Sequence, residues 1–245
     1  MKGTGKSNLL IVLMIACLVA GCKRPDNAVG PTTGTTGSLV GNIDLMQQDR
    51  TFAGNGEGVQ VSIQGTSLST TTDTSGYFKF SDLKAGTYRI IFHKSGFGTA
   101  ELESYQFVPN DTFSPVVFQI LFQIPSYYAS ALRVVVLDST VTIHGCLSDS
   151  GSYQKLALIF VGMDSTIADY NHSAFYIFAQ IPSDSSQFYG SIATQTFHNF
   201  GLQSGSVAYL AARTYVGLAT YTDSTGKEIY TSFNPNVTRA SIVVP

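Results

Sequence analysis

Residues 58–97 read GVQVSIQGTSLSTTTDTSGYFKFSDLKAGTYRIIFHKSGF, and this stretch decides the fold class. Apolar and polar residues alternate in its VQVSI segment, which is typical of a strand with one buried face. The segment Asp73–Gly76 predicts a hairpin turn, because Asp bonds its own backbone and Gly accepts a positive φ. Phe78 and Phe80 then lie on one face of the next strand. Short strands separated by such turns predict an all-β sandwich.

The same stretch resembles the carboxypeptidase regulatory-like domain, a seven-stranded transthyretin-like β-sandwich. The matching positions are turns and core residues of that family, namely Gly58, Val59 through Ile63, Thr72, Asp73, Gly76, Phe78, Leu83, Gly86, Tyr88 and Lys94 with Gly96 and Phe97. The resemblance implies an accessory module without peptidase chemistry, in a superfamily that includes carbohydrate-binding modules. We therefore predict a first module over residues 38–125.

Residues 131–245 continue the all-β pattern and predict a second module. Strands are expected in four segments, at residues 141–147, 155–161, 174–181 and 188–197. Leu202–Tyr215 is similar to the F strand of fibronectin type III domains, whose Tyr bonds backbone at a corner. Tyr221–Phe233 predicts a hairpin that closes the sandwich. The prediction is a fibronectin type III-like or immunoglobulin-like β-sandwich, with a jelly-roll variant as the alternative.

The amino terminus has the layout of a secretory signal. Basic residues precede an apolar run from Leu9 to Ala20, which is shorter than the roughly 20 residues of a membrane-spanning helix. The run ends in Val19-Ala20-Gly21-Cys22, which resembles the lipobox of bacterial lipoproteins. The resemblance implies that residues 1–21 are a cleaved signal peptide and that Cys22 is the lipid attachment site. The alternative is an ordinary signal with a Cys nearby.

Residues 22–37 are rich in Gly, Thr and Pro, which predicts a flexible tether. The segment Lys23–Gly37 would have a root-mean-square reach of roughly 20–25 Å. Bacterial sorting rules place Asp after the lipidated Cys for retention in the inner membrane, so Lys23 favours the outer membrane. Surface export in Bacteroidota resembles a signal of several acidic residues, and Asp26 alone leaves the periplasmic and cell-surface faces both open.

Composition limits the classes of partner and the redox chemistry. The chain has 14 Lys and Arg against 16 Asp and Glu, without a basic stripe, so nucleic acid is not an expected partner. Cys17 leaves with the signal and Cys22 is acylated, so the mature chain forms no internal disulfide. The remaining Cys146 is expected to be a small buried residue.

The sequence offers no recognisable catalytic or metal motif. The four histidines, His93, His144, His172 and His198, lack ligand spacing. No nucleophile elbow of the G-x-S-x-G type occurs. The carboxylates of Glu57, Glu101, Glu103 and Glu228 are expected to be solvated. We therefore predict no enzyme activity, no cofactor and no metal, with a hydrolase whose carboxylates meet only in the fold as an alternative.

One tripeptide, Asp-Ser-Thr, occurs at Asp138–Thr140, Asp164–Thr166 and Asp223–Thr225. Asp and Ser side chains in this order favour tight turns, because they bond nearby backbone. The tripeptide also resembles the acceptor motif of Bacteroidota O-glycosylation. That resemblance implies modification of three serines, Ser139, Ser165 and Ser224.

These features together predict a non-enzymatic lipoprotein of the outer membrane that presents two β-sandwich modules as a binding or assembly accessory. Its expected partners are the membrane, through the lipid anchor, and envelope proteins or glycans. A carbohydrate-binding lipoprotein for polysaccharide capture is the alternative. Because Trp is absent, sugar stacking would fall to tyrosines such as Tyr127, Tyr128, Tyr153, Tyr170 and Tyr176.

Overall fold

The structure, a computed structural model, describes residues 36–109, 116–169, 172–182, 184–218, 220–223 and 225–245. The described residues belong to one unit, Gly34–Pro245. They form sixteen strands and one short helix, so the all-β fold class is confirmed. Within those ranges no helix has the length and apolar character needed to cross a membrane.

Seven strands build the first module: β1 (Thr36–Met46), β2 (Gln60–Ile63), β3 (Ser69–Thr71), β4 (Tyr77–Lys84), β5 (Gly86–His93), β6 (Ala100–Phe107) and β7 (Val116–Phe122). One sheet has the order β4-β1-β7, with β7 parallel to β1, and the other has the order β3-β2-β5-β6. Aromatic rings fill the space between the sheets, with the centroids of Phe78 and Phe92 6.0 Å apart. Strand β1 begins two residues before the predicted start of the module.

The predicted turn after Thr72 forms as expected. The Asp73 carboxylate accepts hydrogen bonds from the Ser75 hydroxyl at 2.7 Å, the Ser75 N–H at 2.8 Å and the Tyr77 N–H at 3.1 Å. These bonds, the Ser75 hydroxyl first, lower the pKa of Asp73. Gly76 has a φ of 79°, and a Cβ there would lie 2.2 Å from the Ile43 carbonyl oxygen. The turn therefore requires both residue types.

The second module contains β8 (Ala129–Leu137), β9 (Thr140–Leu147), β10 (Leu156–Gly162), β11 (Phe175–Phe178), β12 (Gln187–Ala193), α1 (Thr194–Asn199), β13 (Val207–Tyr215), β14 (Thr220–Thr222), β15 (Glu228–Tyr230) and β16 (Thr238–Val243). Its sheets have the orders β12-β9-β8 and β11-β10-β13-β16. The strand predicted at 188–197 is wrong in its second half, where α1 begins. Phe197 on this helix is fully buried and packs edge-on against Phe175.

The β14–β15 hairpin forms, but it joins neither sheet of the second sandwich, in which β13 lies between β10 and β16. The hairpin contacts β6 of the first module, while Tyr230 at its end packs against the core cluster of Phe160 and Phe233 in the second. The Arg89 guanidinium lies 5.9 Å from the ring centroid of Tyr221 on the hairpin. Just beyond β15, the Thr231 hydroxyl donates to the Thr99 carbonyl at 2.6 Å. The hairpin therefore joins the two modules.

Side-chain hydrogen bonds also fix the linker between the modules. The Gln48 side-chain carbonyl accepts from the Ser126 N–H at 3.0 Å and the Ser126 hydroxyl at 2.9 Å. The buried Asn234 amide donates to the Pro125 carbonyl at 2.7 Å. A Cβ on Gly217 would lie 2.1 Å from the Phe122 ring, so the backbone of the second module and the end of β7 approach closely here. The modules are packed against each other rather than joined by a free linker.

Candidate functional site

The outer face of the β8–β9–β12 sheet places polar side chains in a row across three strands. Arg133 on β8 is paired in register with His144 on β9, which is paired with Tyr189 on β12. All three are exposed. We call this surface the Arg133 face, and it comprises Ala131, Arg133, Val135, Leu137, Thr142, His144, Cys146, Gln187 and Tyr189.

Two adjoining grooves of about 280 and 430 Å³ run over the Arg133 face, and Arg133 and His144 line both. Val135 and Leu137 form the apolar wall of the larger groove. Arg133 is exposed, and no salt bridge to it occurs within the described residues. Ligand sites are usually concave and mostly apolar with a few polar groups, and these grooves share that composition.

The strand period of β9 explains why these side chains face outward. Val141, Ile143 and Gly145 face the core, so the residues between them face solvent. A Cβ on Gly145 would lie 2.1 Å from the Phe188 ring, which packs directly on this backbone. Cys146 is exposed, so the expectation of a buried thiol is wrong. The alternation of residues along β9 predicts that Cys146 faces solvent.

A buried lysine lies beside a separate pocket of about 240 Å³ at one end of the second module. Lys155 is 4% exposed, and its ammonium donates to the carbonyls of Gly151 and Ser185 and lies 4.9 Å from the Tyr153 ring centroid. The Tyr153 hydroxyl donates to Asp149, which lowers the pKa of that carboxyl. Burial and the same bond raise the pKa of Tyr153. The cluster, which sequence reasoning missed, ties two loops together.

The carboxylates of Glu101 and Glu103 both bind the Arg89 guanidinium. Arg89 Nε donates to Glu101 at 2.6 Å, and a terminal guanidinium nitrogen lies 3.4 Å from Glu103. The hydrogen bond to Glu101 raises the pKa of Arg89. The Glu101 side chain is only 7% exposed, so the expectation of a solvated carboxylate is wrong for this residue. This pair serves an ion-pair network and does not support the hydrolase alternative.

The four histidines lie apart from one another. His93 contacts the Thr99 hydroxyl, His172 contacts Asp169, and His198 contacts the Leu202 carbonyl. Among the described residues, no group of three or more His, Cys, Asp or Glu side chains has the arrangement of a metal site.

The aromatic candidates for sugar stacking occupy different environments. Tyr127 is 1% exposed, so its assignment as a stacking platform is wrong. Tyr176 and Phe178 on β11 are 43% and 56% exposed, with centroids 5.6 Å apart and ring planes at 87°. Tyr170 lies outside the described residues. Phe178 was not among the predicted platforms, because sugar stacking was assigned to tyrosines.

The Asp-Ser-Thr tripeptides form turns where the structure describes them. The Asp164 carboxylate accepts from the Thr166 N–H at 2.7 Å and the Thr166 hydroxyl at 2.8 Å. Ser165 between them is exposed, and so is Ser139 in the turn between β8 and β9. Ser224 and Cys22 lie outside the described residues. O-glycosylation and lipid attachment therefore stay predictions.

The described residues thus form an all-β fold in which two β-sandwich modules with separate cores are packed against each other. Residues 53–120 match the family model of the carboxypeptidase regulatory-like domain, which confirms the resemblance found in the first module. No curated protein matches this chain.

Several solved structures are similar to this chain. A proposed carbohydrate binding protein from Bacteroides uniformis has 16% identity and a TM-score of 0.33, covering 85% of this chain and 100% of its own. A DUF3823 family protein from Parabacteroides merdae has 12% identity and a TM-score of 0.30, covering 81% and 96%. A chain of a type II cohesin–X-dockerin complex from Acetivibrio cellulolyticus has 21% identity and a TM-score of 0.29, covering 36% of this chain. The match spans 58% of that chain's length.

Proposed function

We propose that this protein is a lipoprotein of the bacterial outer membrane, anchored through Cys22, that acts as a non-enzymatic binding or assembly accessory. The lipobox-like segment supports the anchor, and the match of the first module to an accessory domain supports the role. The observation that carries the binding role is the open Arg133 face. The lipid would concentrate this face at the membrane, and the packed modules would hold its orientation.

The chemistry of the Arg133 face favours a partner with an acidic group beside an apolar surface. A guanidinium offers five donors in a fixed plane that suits carboxylate or phosphate. The row of Arg133, His144 and Tyr189 supplies polar contacts, while Val135 and Leu137 supply apolar area. Because the Arg133 guanidinium is exposed, its desolvation on binding is limited to the part that the partner covers.

Site-specific photo-crosslinking in the native host tests this binding face. A photoreactive residue at Leu137, which is 62% exposed, is expected to capture a discrete envelope partner. Adding Arg133→Ala is expected to remove that adduct. Leu68, 40% exposed on the first module, is the control position. The same adducts from both positions, or none from Leu137, would contradict the assignment.

The anchor is tested separately with Cys22→Ser. The variant is expected to keep its leader, carry no acyl group and accumulate as the unprocessed precursor. A variant that stays firmly embedded with its leader processed as before would refute lipid attachment at Cys22.

Carbohydrate capture is the second candidate, and the exposed pair Tyr176 and Phe178 favours it. The two rings are nearly perpendicular, so a sugar would stack on one face and meet the edge of the other ring. Glycan-array binding by the Gly34–Pro245 unit is expected to be lost in Phe178→Ala. Phe200→Ala, which truncates a ring of 53% exposure elsewhere, is the matched control. Equal binding by both variants would remove this candidate.

A further inference from the structure

Among the described residues, the outer face of the β4-β1-β7 sheet carries exposed apolar side chains, and Phe118 lines a groove of about 360 Å³ together with Leu218 and Thr220 of the second module. Val116 is 63% exposed and Phe118 is 57% exposed, both on β7. Registration across the sheet places Val40 beside Val116, and Asn42 between Phe118 and Tyr77, which is 41% exposed. We call Val40, Tyr77, Val116 and Phe118 the tether-side patch.

Strand β7 is also the edge of its sheet. It has β1 on one side, and the backbone of its last residue, Phe122, is bonded on the other side by the Gly98 N–H at 2.9 Å. Its sequence, VVFQILF, contains no charge and no proline. Natural edge strands usually carry charges or proline that discourage unwanted contacts. The side-chain face of β7 therefore carries no charge that would oppose contact with an apolar surface, whereas its backbone edge would still need polar partners.

The tether-side patch lies where the chain from Cys22 enters the body. Strand β1 begins at Thr36, and four residues later Val40 lies beside Val116. Thirteen residues, 23–35, separate Cys22 from β1, and a chain of this length spans at most about 45 Å. Confinement within this distance of the anchoring surface corresponds to an effective concentration on the order of millimolar. A weak affinity of the patch for the anchoring surface is therefore sufficient for contact.

Charges near the tether-side patch are balanced in sign. Lys79 lies beside Val40 and Lys84 beside Thr36, while Asp82 lies between these lysines on β4 and Asp44 lies beside Ile120 on β7. Electrostatic attraction to anionic lipid is therefore not the main expected force. Aromatic side chains with a polar end, such as Tyr77, favour the membrane–water interface. The expected contact is apolar and changes little with salt.

We propose that the tether-side patch rests on the lipid surface that holds the anchor, so that the body lies against the membrane instead of standing away from it. The inference relies on the proposed lipid attachment at Cys22. A second copy of the chain or an added β-strand from a peptide would cover the same residues, and the experiment below separates these outcomes.

The absence of Trp from the chain provides the probe. Residues 22–245 carrying Cys146→Ser are coupled through the Cys22 thiol to maleimide-bearing lipid in phosphatidylcholine vesicles. In the Phe118→Trp variant, we expect emission at shorter wavelength than in the uncoupled protein and loss of more than half its intensity to brominated lipid. Phe178→Trp, at 56% exposure on the second module, is the matched control and is expected to show neither change.

Three results would overturn the proposal. The first is Phe118→Trp emission that matches the Phe178→Trp control on vesicles. The second is a shift that appears without vesicles and grows with protein concentration, which indicates a second copy. The third is a shift that requires an added peptide. Because the coupling is chemical, failure of acylation in cells would defeat the proposed anchor without altering this vesicle result.

Discussion

Tyr127 lies between the two modules in the chain, and its hydroxyl binds the second module. Removing this hydroxyl directly tests how firmly the linker is held against the second module. The residue is 1% exposed. Its hydroxyl donates to the Tyr215 carbonyl at 3.1 Å and accepts from the Leu156 N–H at 3.1 Å. Leu156 and Tyr215 are the terminal pair of the β10–β13 ladder, so the hydroxyl bridges the end of the sheet.

Tyr127→Phe keeps the ring and removes only this bridge. Each buried backbone group left without a partner costs about 1–3 kcal/mol. Because Leu156 is half-buried and regains some contact with water, we expect a total loss of about 2–4 kcal/mol for the two groups. With a urea dependence of about 2 kcal/mol/M, the unfolding midpoint would fall by about 1–2 M.

The variant also changes how stability depends on pH. Burial raises the pKa of Tyr127 to about 12, against about 10 in the unfolded chain. The unfolded state therefore loses this proton first, and wild-type stability falls between pH 10 and 12 by up to about 1.4 kcal/mol per pH unit from this group. Tyr127→Phe lacks that contribution, so its stability should fall less steeply over the same interval.

Urea denaturation of the Gly34–Pro245 unit at pH 7 and across the alkaline range measures both effects. Tyr128→Phe is the matched control, because its neighbouring ring is 37% exposed. If the two variants unfold at the same urea concentration, the hydroxyl bridge does not stabilise the junction and the reasoning fails.

Three further predictions concern the sheet faces. Gly145→Ala is expected to lower the free energy of unfolding by about 1–3 kcal/mol, because the new Cβ would lie 2.1 Å from the Phe188 ring. In the control Gly190→Ala the nearest atom is 3.6 Å away, so its thermal unfolding should change little. Equal losses in the two variants would contradict this prediction. Cys146 should react with maleimide in the native protein, and a need for denaturant would show that the thiol is buried. Arg89→Ala should lower the free energy of unfolding by about 1–3 kcal/mol, because it leaves the nearly buried Glu101 carboxylate without its ion-pair partner. Adding Glu101→Ala should restore part of this loss. If stability does not recover in the double variant, the ion pair does not stabilise the fold.

Local sequence patterns predicted the elements whose causes are local. The alternation around Val61 and the turn chemistry of Asp73 and Gly76 appear as expected, because both depend on neighbouring residues. The alternation along β9 also predicts that Cys146 is exposed. The expectation of a buried thiol was wrong because it relied on the general tendency of cysteine to be buried. The helix after β12 was missed because TQTFHN has no capping signal and its burial depends on Phe197 packing against Phe175.

The candidate surfaces depended on contacts that a linear pattern does not encode. The Arg133 face requires three strands in one register, and its row joins residues from β8, β9 and β12. The negative charge of Glu101 is balanced by Arg89, which the fold places on the adjacent strand. The tether-side patch requires β7 to lie parallel to β1, a pairing between strands far apart in the chain.

By itself, the sequence determined the all-β class, the resemblance of the first module and the expectation of an anchored amino terminus, because periodicity, turn residues and short motifs act over a few positions. Only the tertiary structure decided that the β14–β15 hairpin contacts the first module and that Asn234 binds the linker carbonyl of Pro125. These contacts join distant segments, and their stability comes from burial and hydrogen bonds that exist only once both modules have folded.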